Sequence, residues 1–165
     1  MSDFIYKIIY DSKNEKLLNN YDELISYDNS ENITILEIKQ IHENNKIEIG
    51  NNLNNLEELI LVNFDDLKDF KLKINLKKLK INFKVYNITN LPIFHNNLLS
   101  LDLSNNRLEK INYLPETIKF LKLNNNYFSK INLELLIKIL PKNMEVLELQ
   151  SNNIEKLFKF ESELK

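Results

Sequence analysis

Residues 98–108 read Leu-Leu-Ser-Leu-Asp-Leu-Ser-Asn-Asn-Arg-Leu. With Leu98 as position 1, apolar side chains stand at positions 1, 4, 6 and 11 (Leu98, Leu101, Leu103, Leu108), and an asparagine, Asn106, at position 9. Positions 4 and 6 keep the two-residue period of a strand, so both side chains fall on one face. The asparagine marks the end of that strand. Its amide can donate to and accept from backbone groups where the chain turns, which a leucine cannot do. The pattern returns at Ile118, Leu121, Leu123, Asn126 and Phe128, and again at Met144, Leu147, Leu149, Asn152 and Ile154.

Three looser copies lie upstream. Ile33, Leu36 and Ile38 carry Ile41 at position 9; Leu56, Leu59 and Leu61 carry Phe64; Leu76, Leu79 and Ile81 carry Lys84. The copies therefore start at 33, 56, 76, 98, 118 and 144, at intervals of 23, 20, 22, 20 and 26 residues. The shared template, L-x-x-L-x-L-x-x-N-x-L with a repeat of ~20–29 residues, resembles the leucine-rich repeat family, in its short-repeat type. The resemblance implies an α/β-type solenoid: a right-handed, strand-rich arc with a parallel sheet on the concave face. The convex returns would be short 3₁₀, extended or helical segments. Six coils exceed the three or so that a stable stack needs.

These spacings predict strands near 35–39, 58–62, 78–82, 100–104, 120–124 and 146–150 within an array over 33–156. Residues 1–32 do not fit the template. Phe4–Tyr10 is rich in strand formers, and Leu17, Leu18, Tyr21, Leu24 and Ile25 have helical spacing. We read this segment as an N-terminal cap, because an end coil leaves an open core and an unpaired strand edge. The other reading is an adaptor element such as a degenerate F-box, which would make the chain a substrate receptor of a ubiquitin-ligase complex. Lys46–Ile49 alternates like a strand before a Gly50 turn. Leu91-Pro92 and Leu114-Pro115 read as extended or 3₁₀-like returns. In the longest interval, Leu133, Leu136, Ile137 and Leu140 predict a helix over 132–140, ended by Pro141. Residues 157–165 read as a C-terminal lid.

With positions 4 and 6 inward, positions 3, 5 and 7 face solvent on the other side of the sheet. Position 5 gives the column Glu37, Ile60, Lys80, Asp102, Lys122, Glu148, and a second ladder pairs Glu57 with Lys77 and Glu58 with Lys78. Position 3 adds Ile35, Phe120 and Val146, and Phe83 at position 8 is placed beside them. The alternating charges either neutralise one another and fix register or present a mixed-charge ligand surface; both roles are compatible. Aromatics dominate interface hot spots, so Phe120 beside Lys122 is the best anchor for a partner. The partner-binding set is Glu58, Lys78, Lys80, Asp102, Phe120, Lys122, Val146 and Glu148. Asn106, Asn126 and Asn152 form a structural ladder.

Composition narrows the alternatives. The 165 residues include 28 Asn, 29 Leu and 21 Lys against one Arg, one Gly and no Ala. This is the bias of an AT-rich genome, a mutational signature and not a function. A net charge of −2 gives no global pull toward nucleic acid or anionic membrane. With no cysteine there is neither a disulfide frame nor a thiolate metal site. The first residues, with Asp3 and Lys7 inside the only apolar run, make a poor signal peptide, so a cytoplasmic, intracellular site of action is expected.

The lysine-dense stretch Lys68–Lys84 could read phosphates, but Glu57, Glu58, Asp65, Asp66, Asp69 and Asp102 flank it. His42 and His95 lack a metal-ligand partner at i+3 or i+4. Ser100 and Ser104 are placed on the concave face with no histidine expected beside them there, so nucleophilic catalysis is not supported. The expected function is a non-enzymatic protein-interaction module with no cofactor, no metal, no nucleic acid and no membrane partner. A ligase adaptor, a nucleic-acid binder and an enzyme are the alternatives.

Overall fold

The computed structural model describes residues 4–9, 14–27, 32–40, 53–64, 67, 76–83, 91, 93–94 and 97–154. Its elements are β1 (Phe4–Ile9), β2 (Glu15–Leu18), α1 (Tyr21–Ile25), β3 (Ile35–Gln40), β4 (Glu58–Phe64), β5 (Lys78–Phe83), β6 (Ser100–Asp102), β7 (Phe120–Lys122), α2 (Lys130–Ile137) and β8 (Val146–Glu148). They build a strand-rich solenoid around one 8-stranded sheet, ordered β2-β1-β3-β4-β5-β6-β7-β8. From β3 onward each strand pairs in parallel with the next. The β1–β2 hairpin extends the sheet by antiparallel pairing, with β1 laid against β3.

Each strand from β4 to β8 begins with the same hydrogen-bond fork. The N–H groups of Glu57 and Glu58 both donate to the Thr34 carbonyl, those of Lys77 and Lys78 to Glu57, and those of Leu99 and Ser100 to Lys77. Lys119 and Phe120 then share Leu99, and Glu145 and Val146 share Lys119, all at 2.8–3.1 Å. One carbonyl thus registers two residues of the next coil. Before β4, β7 and β8 the chain is delivered to the fork by a tight turn, in which the carbonyls of Leu53, Pro115 and Pro141 accept from Leu56, Ile118 and Met144.

The inward set at positions 1, 4 and 6 forms the core. Leu36, Ile38, Leu59, Leu61, Leu79, Ile81, Leu101, Leu103, Leu121 and Leu123 are buried, together with Leu56, Leu76, Leu98 and Ile118. In β8 the equivalents Leu147 and Leu149 are half-buried against the same cluster. The last three strands start where the spacing predicts and are assigned over three residues only. The backbone ladder nevertheless runs on: the N–H of Leu103 donates to Lys122 and that of Asn105 to Asn124, while Leu123 donates to Glu148 and Asn125 to Gln150.

Three expectations are corrected. Phe83, placed on the open face from its position 8, is 7% exposed and belongs to the core. In β5 the extended chain continues to Phe83, so the alternation that buries Leu79 and Ile81 buries Phe83 too. The helix of the longest return spans Lys130–Ile137 and begins at Ser129, whose hydroxyl accepts from Asn132 N–H, so it ends short of Pro141. Leu17 and Leu18 lie in β2, and only Tyr21–Ile25 is helical. Asn20 caps α1 by accepting from Glu23 N–H at 2.8 Å, and α1 buries Leu24 beneath the hairpin.

The Lys46–Ile49 strand, the Gly50 turn, Pro92 and the 157–165 lid lie outside the described residues. Among the described residues no helix is long and apolar enough to cross a membrane.

Candidate functional site

The solvent-facing surface of the sheet is set by register. Adjacent pairs place Glu37, Ile60, Lys80, Asp102, Lys122 and Glu148 in one row across β3–β8. Lys7 of β1 faces Glu37 and continues that row into the hairpin. The neighbouring row is Ile35, Glu58, Lys78, Ser100, Phe120 and Val146. All eight side chains of the expected partner-binding set therefore stand in these two rows.

The charges in the rows engage one another. Lys78 pairs with Glu58 at 3.5 Å, Lys80 with Asp102 at 3.8 Å and Lys122 with Glu148 at 2.9 Å. Lys7 bridges Glu37 at 3.1 Å and Glu15 at 3.4 Å. At the strand entries Lys77 pairs with Glu57, and Lys119 with Glu145 at 2.7 Å. Exposed pairs of this kind contribute about 0–1 kcal/mol each, so their main effect is on register and surface potential.

Lys122 is held above the ordinary lysine value by its hydrogen bond to Glu148, then by the charges of Glu148 and Asp102. Glu148 is held below the ordinary carboxylate value by the hydrogen bond from Lys122 and a second from Asn124. Asn124 Nδ2 donates to Glu148 at 2.6 Å. For Lys7, burial acts to lower its value, and the hydrogen bonds and charges of Glu37 and Glu15 outweigh it, so it is raised.

Phe120 and Val146, directly opposite one another on β7 and β8, are 37% and 38% exposed. On the other side of the face, Ile9, Ile35, Ile60 and Val62 are half-buried among β1, β3 and β4.

Behind the face runs the asparagine ladder. Asn106 Nδ2 donates to the Ile81 carbonyl and its Oδ1 accepts from Phe83 N–H, both at 2.7 Å. Asn126 Nδ2 donates to the carbonyls of Leu103 at 2.9 Å and Leu123 at 3.0 Å, and its Oδ1 accepts from Leu108 N–H at 2.8 Å. Asn152 Nδ2 donates to Leu123 and Leu149, both at 2.9 Å, and its Oδ1 accepts from Phe128 N–H at 3.1 Å. Each amide ties its own turn to the coil before it.

Position 9 alone does not describe this turn. The residue before it, at position 8, has positive φ in four coils: Asn63 (61°), Asn105 (64°), Asn125 (54°) and Ser151 (55°). Asparagine tolerates this left-handed region better than most residues. The Asn-Asn doublets at 105–106 and 125–126 were its sequence signal: the first asparagine turns the chain and the second carries the ladder. Lys7 and Asn124 were also missed as members of the face. The alternation of Phe4–Ile9 points Lys7 outward, but its antiparallel register with Glu37 has no sequence signature.

His42, His95, Lys68, Lys71, Lys73, Lys84, Asp65, Asp66 and Asp69 lie outside the described residues. Among the described residues no three of His, Cys, Asp and Glu gather at metal-binding distance. No known family, curated protein or solved structure matches this chain.

Proposed function

We propose that the chain is a right-handed leucine-rich repeat protein of the short-repeat type. Its open sheet surface, concave in this reading, binds a protein partner without catalysis. The observation that carries the reading is the pair of in-register rows. Six parallel strands present outward side chains at a fixed lateral step, and core packing makes no use of them. The asparagine ladder and the repeated strand-entry fork support the repeat assignment, since each coil meets the next through the same bonds.

A binding role accounts for the charges better than chemistry does. The carboxylates Glu58, Asp102 and Glu148 each lie against a lysine. Glu148, held below the ordinary carboxylate value, is a poor proton donor. Nucleic-acid binding is disfavoured because Lys77, Lys78 and Lys80 each meet a carboxylate on the adjacent coil. The N-terminal strands favour the capping reading over the ligase adaptor, since β1 and β2 prolong the same sheet.

The test is affinity capture from cell extract with the full chain and a Phe120→Ala, Lys80→Ala, Lys122→Ala triple variant, both checked for unchanged circular dichroism. Partners captured by the native chain and lost by the variant are expected. A variant that keeps every partner places binding elsewhere.

A further inference from the structure

The open face has a composition that constrains its occupant. Across β4–β8 its charges come in opposed pairs, with the exposed Lys39 of β3 outside them, and their signs alternate from strand to strand along the Lys80, Asp102, Lys122, Glu148 row. A charged group laid over that row meets both signs within one strand spacing of ~4.8 Å. It loses hydration without finding an uncompensated counter-charge. What the face offers to a guest is apolar, in two islands: Ile35, Ile60 and Val62 on β3 and β4, and Phe120 with Val146 on β7 and β8. Between them, β5 and β6 present the polar side chains Lys78, Lys80, Asn82, Ser100 and Asp102.

We propose that the occupant is an uncharged, extended peptide segment crossing the strands with two apolar anchors, one on each island. This rests on the reading of the sheet surface as a protein-binding face. The geometry fixes the spacing. From β4 to β7 is three strand steps, ~14 Å, and an extended chain rises ~3.3 Å per residue, so the anchors stand about four residues apart. An even spacing puts both anchors on the same side of the extended segment. The residue midway between them lies over Lys80 and Asp102 and is small and polar, able to accept from the lysine without displacing its carboxylate.

The experiment is selection of a displayed random dodecapeptide library on the full chain. Enriched peptides are synthesised and titrated against the native chain and against Phe120→Thr and Ile60→Thr, which keep strand propensity at outward positions. The expected consensus has apolar residues at i and i+4 and near-zero net charge. Its affinity falls about tenfold or more in each variant, as loss of a hot-spot anchor does. It changes less than about threefold between 50 and 300 mM salt, because no counter-charge is screened.

A charge-rich consensus whose affinity falls steeply with salt, but which is still lost in Phe120→Thr, overturns this inference and leaves the binding-face reading standing. Peptides indifferent to both substitutions, or no enrichment, overturn both.

Discussion

Two regions of the sheet, β4–β5 in its middle and β6–β8 at one end, close their turns with different chemistry. β4 and β5 run for seven and six residues and finish in buried phenylalanines, Phe64 and Phe83. Phe64 stacks on Phe4 of the hairpin with ring centroids 6.0 Å apart. β6, β7 and β8 run for three residues, and their turns carry Asn106, Asn126 and Asn152. Where a phenylalanine ends the strand, pairing resumes beyond a bulge at left-handed Asn63, with Phe64 opposite Phe83. Where an asparagine follows, the backbone ladder runs on past the short strand and the side-chain amide adds bonds to carbonyls of the preceding coil. The two regions meet at Asn106, which reaches back to the N–H of Phe83. A solenoid of one inward Leu/Ile pattern can therefore be closed by an apolar plug or by a polar ladder, provided neighbouring coils agree.

Exchanging the two chemistries is the strongest way to break that distinction. Phe64→Asn removes a buried ring and leaves an amide beside Phe4, so a loss of about 4 kcal/mol is expected in urea unfolding. Asn126→Leu, at a site only 1% exposed, strands the carbonyls of Leu103 and Leu123 and the N–H of Leu108, for about 3 kcal/mol. Contacts in a solenoid are nearest-neighbour, so the damage should be regional. Amide hydrogen exchange is expected to rise in β3–β5 for the first variant and in β6–β8 for the second. Losses under about 1 kcal/mol, or identical exchange maps, would erase the contrast.

This contrast also explains what was legible in the sequence. The inward leucines could be read in all six copies, because burial of alternate side chains depends only on local spacing, and all six strands begin where that spacing places them. The outward rows followed, since a two-residue period fixes the opposite face once one face is known. Phe83 was misplaced because it was set beside the outward residues of position 3, although position 8 shares the parity of inward positions 4 and 6. In this coil the chain stays extended through it, and nothing in the residue itself marks the switch from asparagine-type to phenylalanine-type closure. Lys7 was missed for a different reason. Its partner Glu37 lies thirty residues away across an antiparallel pairing, and long-range register has no local spacing to read. The helix limits shifted because the Ser129 cap fixed the start of α2, while the apolar period alone suggested a later one.

A smaller effect sharpens the comparison within the ladder region. Ser151 holds the left-handed position that Asn105 and Asn125 occupy in the preceding coils. Serine lacks asparagine's tolerance of that region, and glycine has no Cβ to clash there. Ser151→Gly is expected to stabilise by about 0.5–1 kcal/mol. The equivalent Asn125→Gly change should give less, because it also deletes the bond from Asn125 Nδ2 to Asn105 Oδ1 at 3.0 Å. Equal gains at both sites in thermal melts would mean that the asparagine doublets carry no conformational advantage.

The smallest effect lies on the open face and follows from the Lys122–Glu148 pair. Glu148 has a lowered value in the folded chain, so its contribution is fully present above the ordinary glutamate range, near pH ~4.3, and fades as pH falls through the folded value. Lys122 is raised, so its side of the pair is complete below the ordinary lysine range, near pH ~10.4, and is lost as pH climbs past it. Between those limits the pair is intact and stability should not respond to it. Carbon-detected NMR titration of the Glu148 carboxyl is expected to show a midpoint below that of a free glutamate, and Lys122→Met should move it upward. Asn124 still donates at 2.6 Å, so the return should be incomplete, and Asn124→Ala added to Lys122→Met should complete it. A midpoint unmoved by either change would mean that the row of alternating charges does not hold its register in solution. The open face would then lack the fixed pairing on which any argument about its guest depends.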